Sequence, residues 1–228
     1  MTPQNRIPEL DAARGICILA MVAIHAVYDL TELYSVLHWN APPIFTLLQK
    51  QGGVLFFLIS GICATLGASH LRRGVLILGC AALVSVAVFL SESLPIRFGV
   101  LHCLGCCMLL WEFFKDASAH SLCLWGAGVA ITGFLFRRIS VSISYLYPLG
   151  LTAPDFASAD YFPILPYFGF FLAGAALGRK LYCTKKSLFS PFPDHPSLRF
   201  LCACGRHSLW IYLLHQPVLL FLIEAAVS

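Results

Sequence analysis

Arg14-Gly-Ile-Cys-Ile-Leu-Ala-Met-Val-Ala-Ile-His25-Ala-Val-Tyr-Asp29 is the stretch from which the rest of the chain can be read. Ten uncharged residues, nearly all apolar, separate an arginine from a histidine. With its flanks the run reaches the ~20 residues that a helix needs to cross a ~30 Å hydrocarbon core. It is continuous and does not alternate, so it reads as a helix and not as a strand of a β-barrel. Arg14 opens the run, no small-residue cleavage site follows it, and charge returns only at Asp29 and Glu32. That pattern predicts a retained first span in place of a cleaved signal peptide.

The same reading extends to the whole chain. Hydrophobic residues make up 59% of its 228 residues and charged residues 11%, while an ordinary soluble domain carries about 25% charged residues. The expected fold class is all-α, a polytopic transmembrane helical bundle in one domain over residues 1–228. About seven spans are expected, near 12–34, 47–69, 73–91, 97–114, 119–138, 161–180 and 206–227. Basic loop residues predict a cytoplasmic N-terminus. Arg6, Arg72, Arg73, Lys115, Arg179, Lys180, Lys185, Lys186, Arg199 and Arg206 then fall inside, and Lys50, Arg97, Arg137 and Arg138 outside. The expected location is the cell membrane, as a multi-pass integral protein with the lipid bilayer as its surroundings. The formal net charge of +4 is mostly this bias and gives no reason to expect a nucleic-acid partner.

Most of the ten cysteines lie in apolar stretches, where Cys behaves as a small hydrophobe. Cys103, Cys106 and Cys107 near His102, and Cys202 and Cys204 near His207, lack paired zinc-site spacing, so no metal is expected. Gly61, Gly169, Gly174 and Gly178, with Gly52, Gly53 and Gly67, suit close helix packing. The alternation in 139–160 suits an extended or interfacial segment, and the prolines at 191, 193 and 196 predict an irregular, basic inner segment over 181–205.

Ionisable side chains inside a membrane cost ~2.5–3.5 kcal/mol each even on lenient scales, and so mark function by default. The first helix has a row of them. Asp11, Arg14, His25 and Asp29 follow at spacings of three, eleven and four. At 100° per residue, eleven residues return His25 to within ~20° of Arg14, ~16 Å further along the axis. Asp29 lies one turn beyond His25 on nearly the same face. A carboxylate there can take a hydrogen bond from one imidazole nitrogen and raise the basicity of the other, which is half of a general-base catalyst. Three further histidines are candidates for the same outward-opening polar cavity: His102 in the fourth span, His38 after the first, and His215 in His215-Gln-Pro217.

These residues also carry a resemblance. Arg6-Ile-Pro-Glu-Leu-Asp-Ala-Ala-Arg-Gly-Ile, continuing to His25-Ala-Val-Tyr-Asp29, resembles the first helix of the heparan-α-glucosaminide N-acetyltransferase-like family. Phe56-Phe-Leu-Ile-Ser-Gly61, Phe98-Gly-Val-Leu-His102 and Asp160-Tyr-Phe-Pro-Ile-Leu-Pro166 are similar to later parts of it. The Arg14–His25 spacing and Gly205-Arg-His-Ser-Leu-Trp-Ile-Tyr-Leu-Leu-His215-Gln-Pro217 also resemble the broader acyltransferase-3 group. Such a resemblance implies an enzyme that moves an acyl group, acetyl in particular, from cytosolic acyl-CoA (acetyl-CoA as cosubstrate) to an acceptor across the membrane. The acceptor class it implies is a hydroxyl or amine, of a sugar or another small molecule.

Under that implication Arg14, Arg72, Arg73, Lys185 and Lys186 bind the coenzyme A end, and His25, held by Asp29, is the base, with His102 near by. In the family's lysosomal enzyme the catalytic histidine lies after the first helix, which makes His38 of His38-Trp-Asn a second candidate. The expected span count is smaller than that enzyme's, and no lumenal domain is expected within residues 1–228. Two other readings use the same residues. One is a proton-coupled transporter with the His–Asp pair as relay, which the missing internal repeat disfavours. The other is a b-type haem protein with His25, His102 or His215 as axial ligands, which the Asp29 neighbour disfavours. Acyl donor, acceptor and association into a homo-oligomer stay open.

Overall fold

A computed structural model describes residues 7–91, 94–189 and 191–227. Arg6 lies outside the described residues. The regular structure is all helix, 72% of the residues, with no strands among the described residues and two isolated bridges, Phe98 to Tyr161 and Ser140 to Thr152. In order the helices are α1 (Pro8–Tyr28), α2 (Pro43–Leu66), α3 (His70–Leu90), α4 (Val100–Leu110), α5 (Ala119–Phe136), α6 (Ile164–Leu181), α7 (Pro196–Arg206) and α8 (Ser208–Val227). A π-helical turn, Asp29–Leu33, extends α1, and short 3-10 turns at Trp111–Phe113 and Ser144–Leu149 follow α4 and α5.

The chain divides into two units. One takes Met1–Phe56 and Lys186–Ser228, the other Phe57–Lys185, with the boundary inside α2. In the first unit α1 lies against α7 and α8. Two glycines set how closely α1 meets α7. A Cβ on Gly15 would sit 2.0 Å from the carbonyl oxygen of Leu201, and one on Gly205 would sit 1.8 Å from that of Asp11. Backbone therefore touches backbone, the packing that small residues permit between membrane helices. Glu9 in the first turn of α1 secures the segment leading to α7, accepting from the Ser187 hydroxyl at 2.7 Å and the Leu188 N–H at 2.8 Å.

In the second unit α6 is the buried centre. Phe171, Leu172 and Ala175 are fully covered, and α2, α4 and α5 pack around them. Gly61 and Gly174 repeat the close approach, with a Cβ on either falling about 2 Å from a backbone carbonyl of the facing helix. The expected packing role of the small residues holds at Gly61, Gly169, Gly174 and Gly178, whereas Gly52 faces open space.

Among the described residues four helices are long and apolar enough to cross a membrane: Pro8–Leu33, His70–Leu90, Ala119–Phe136 and Ser208–Val227. A fifth arises if Pro43–Gln49 and Gln51–Leu66, which meet at 48°, form one span. The expected spans near 97–114 and 161–180 are built differently. The helical run Val100–Phe113 is short; its 14 residues rise only ~21 Å. α6 carries Arg179 and Lys180 in its last turn, and Leu165 in its first turn is non-helical. Hydropathy does not distinguish a helix buried in protein from one buried in lipid, and α4 and α6 are largely covered by protein.

Two loop expectations are corrected. The segment 181–205 is not irregular throughout, because α7 begins at Pro196. Proline at the first helical position has no N–H to lose and its fixed φ suits a helix start, while His195 Nδ1 accepts the Ser197 N–H at 3.3 Å. The segment 139–160 is extended only at its start, where Ser140 bridges Thr152, the Val141 N–H donates to the Thr152 carbonyl at 3.2 Å and Ile143 is extended; from Ser144 it winds into the 3-10 turn Ser144–Leu149.

Candidate active site

Of the polar row predicted on α1, His25 and Asp29 turn toward α8, while the Asp11 end of the helix lies against α7. Pro8 opens α1, Glu9 and Asp11 sit in its first turn, and the helix keeps regular geometry as far as Tyr28. It then widens into the π-helical turn, with the Tyr34 N–H bonded to the Asp29 carbonyl at 2.9 Å. Such one-turn widenings are frequent at functional sites because they re-aim side chains.

From this turn Asp29 points inward and is 2% exposed. Its carboxylate does not take the predicted bond from His25. Gln216 Nε2 donates to it instead, 2.9 Å from one oxygen and 3.1 Å from the other. A buried carboxylate needs such donors to offset its lost hydration. His25 pairs with the residue before Gln216, its Nδ1 lying 2.7 Å from His215 Nε2. The ring planes differ by 17° and the centroids are 4.9 Å apart. With nitrogens at 2.7 Å, the rings must lie side by side in nearly one plane and not face to face. His215 Nδ1 in turn lies 2.5 Å from the Tyr212 carbonyl oxygen. A metal held between the facing nitrogens, at about 2 Å per bond, would need about 4 Å, so the two rings as placed are not a pair of axial ligands.

Neighbouring contacts secure the arrangement. The Tyr34 hydroxyl donates to Glu224 at 3.0 Å, a second tie between the end of α1 and α8. Pro217 follows the His–Gln pair within α8, a position where proline supplies no backbone N–H.

The remaining predicted residues are placed as follows. Arg14 is half-buried on α1 beside Gly15, and His38 is exposed in the coil between α1 and α2. His102 sits in the second unit at the start of α4. Its Nδ1 accepts the Gly99 N–H at 3.3 Å and its Nε2 lies 3.5 Å from the Ser85 hydroxyl, which itself donates to the Ile96 carbonyl. Nδ1 is thus turned to the helix start, the reach-back geometry of a capping residue, while Nε2 faces Ser85 of α3. Lys186 belongs to the first unit, and Arg72, Arg73 and Lys185 to the second. Arg72, Lys185 and Lys186 are exposed and Arg73 is half-buried. Two other cations are locally paired, Lys115 with Glu112 and Arg199 with Asp194. The Arg199 guanidinium holds the Asp194 carboxyl below its ordinary range.

His215 and Gln216 are the residues that sequence reasoning left out of its catalytic set. They carried a signal of the same kind as His25, adjacent polar groups in the middle of an apolar helix. The cysteines are all free, and two of the buried ones donate to backbone: Cys103 to the Pro163 carbonyl and Cys202 to that of Pro8. Among the described residues no group of three or more His, Cys, Asp or Glu is gathered as a metal ion would need.

Long apolar helices enclosing a hydrogen-bonded set of ionisable groups define a membrane protein with a buried polar site. The family comes from comparison. The model of the heparan-alpha-glucosaminide N-acetyltransferase catalytic domain matches residues 6–217, and the chain belongs to that family of acetyltransferases. Among curated proteins and solved structures there is no match.

Proposed function

We propose that this protein is a membrane-embedded acetyltransferase that takes an acetyl group from cytosolic acetyl-CoA. It delivers that group to an amine or hydroxyl, with an amino sugar as the leading acceptor class, at the outer face. The observation that carries the reading is the His25–His215 pair beside the buried Asp29 in a chain of an acetyltransferase family. Groups so costly to bury are retained where they act on a substrate.

In this reading His25 takes the proton of the acceptor N–H or O–H as the acceptor atom bonds to the thioester carbonyl carbon. The carbon–sulfur bond then breaks and its electron pair leaves on the coenzyme A sulfur. Asp29, held by Gln216, provides negative charge beside the histidines when that proton arrives. The candidates for binding the donor's phosphates are Arg14 and Lys186 of the first unit and Arg72, Arg73 and Lys185 of the second, each unit taken by itself. His102 caps α4, and His38 is the alternative base. The topology that serves this scheme has seven crossing segments and a cytoplasmic N-terminus, with α4 and α6 among the segments that cross.

The test is direct. Purified protein is incubated with acetyl-CoA and a panel of amino sugars, and free thiol release is followed. Acceptor-dependent release that His25→Ala abolishes is the expected result. Release at background rate with every amine and hydroxyl acceptor would overturn the proposal.

A further inference from the structure

Two hydrogen bonds in series determine where His25 carries its proton. The Tyr212 carbonyl oxygen can only accept, so His215 Nδ1, 2.5 Å away, is the donor of that pair. In a neutral imidazole the nitrogen without hydrogen is an acceptor. His215 therefore presents a lone pair on Nε2, and His25 Nδ1, 2.7 Å from it, must be the donor. His25 is thus the Nδ1–H tautomer, and Nε2 is its one basic nitrogen. The near-coplanar setting of the rings, 17° apart, aims the N–H along the partner's lone pair.

We infer that His215 is the positioning residue of this site. Anchored on the backbone of its own helix, it fixes both the tautomer and the orientation of His25 and turns His25 Nε2 toward the acceptor. This role is ordinarily given to a carboxylate. Here the carboxylate, Asp29, is occupied by Gln216, and a second imidazole takes the place at the base's rear nitrogen.

The inference rests on His25 being the base and states how it is held ready. When the acceptor's proton moves to His25 Nε2, the ring becomes an imidazolium. Its Nδ1–H bond to His215 is then charge-assisted and stronger than in the resting state. No proton need leave His25 rearward. Its new proton is returned to the departing coenzyme A thiolate or to water, so one proton is taken and one released per turnover. An apolar residue at position 215 would leave His25 free to adopt the other tautomer, with Nε2 protonated and unable to act.

The tautomer can be read without any turnover, by long-range ¹⁵N–¹H correlation of ring-labelled protein in detergent. The expected result is a protonated Nδ1 and bare Nε2 on His25 in the wild type, and a mixture in His215→Leu. In kinetics, His215→Leu is expected to lose about 100-fold in kcat, within the range of general-base effects, with KM for acetyl-CoA unchanged. His215→Gln, whose amide oxygen can accept from His25 Nδ1, should recover part of the loss.

A wild-type His25 protonated on Nε2 overturns the inference, and so does unchanged kcat in His215→Leu when His25→Ala is inactive. Unchanged kcat in His215→Leu leaves the base assignment standing, whereas a resting Nε2–H counts against His25 Nε2 as the base as well. An active His25→Ala removes the base assignment itself, while the spectrum still reports the tautomer.

Discussion

Asp29 and Gln216 stand 187 residues apart in sequence, yet the Gln216 amide donates to both oxygens of the Asp29 carboxylate. That relationship yields a stability prediction. Removing the amide in Gln216→Leu leaves a carboxylate that is 2% exposed without its donor, a loss expected to cost about 2 kcal/mol or more. Asp29→Asn removes the charge and keeps a partner for Gln216, so it should cost less. Thermal unfolding in detergent checks the order, and an equal or reversed pair of Tm shifts would show the contact to be energetically idle.

His25 and His38 compete for the role of base. His25→Ala should leave a folded, membrane-inserted protein that still binds coenzyme A and has lost ~100-fold or more in turnover. His38→Ala should stay near wild type, since His38 is exposed in the α1–α2 coil. The reverse pattern would move the base into that coil and make the His25–His215 pair structural.

Donor binding has its own signature. Neutralising Arg14, Arg72, Arg73, Lys185 and Lys186 in combination should weaken coenzyme A binding. The difference from wild type should shrink as salt is raised, because exposed charges are screened over about 10 Å at 0.1 M. Isothermal titration at two ionic strengths measures this. Equal affinities for the wild type and the combined variant at low salt would exclude these residues as the phosphate site.

The α1–α7 contact should be intolerant of any side chain. Gly15→Ala or Gly205→Ala drives a methyl group into a backbone carbonyl, and overpacking of this kind costs about 1–3 kcal/mol. Gly52→Ala meets nothing within 4 Å and should be neutral or slightly stabilising, since Gly in a helix is worse than Ala by ~0.5–1 kcal/mol. Monodispersity and Tm after solubilisation compare the three.

Topology is tested by reporter fusions after Ser118 and Ser158, which should read inside and outside respectively. A cytoplasmic signal from Ser158 would mean that α5 does not cross as proposed.

Much of the site was legible in the sequence, for one physical reason. Arg14, His25 and Asp29 stand out because charge in an apolar helix is costly, and the 3.6-residue period puts them on one face. What the period cannot supply is the partner. His25 and Asp29 are neighbours on α1, and one-turn spacing predicts that they pair with each other. Instead both reach to α8, which no local rule connects to α1. α7 went unseen because Pro196 was read as a breaker when it stands at a helix start. The count of about seven spans relied on apolar runs near 97–114 and 161–180, where the structure has a short α4 and a charge-ended, protein-covered α6.

The chain assembles its first unit from its two ends, with Phe57–Lys185 made in between. Ribosomes add about 5–20 residues per second, so the 187 residues from Asp29 to Gln216 take about 10 to 40 s. For that interval α1 is in existence with a carboxylate and an imidazole whose partners have not been synthesised. The polar groups of the nascent helix gain their protein partners only when α8 emerges. Chains that stop short of His215 would carry a permanently unmatched acidic span, a feature by which membrane quality control can single them out for destruction.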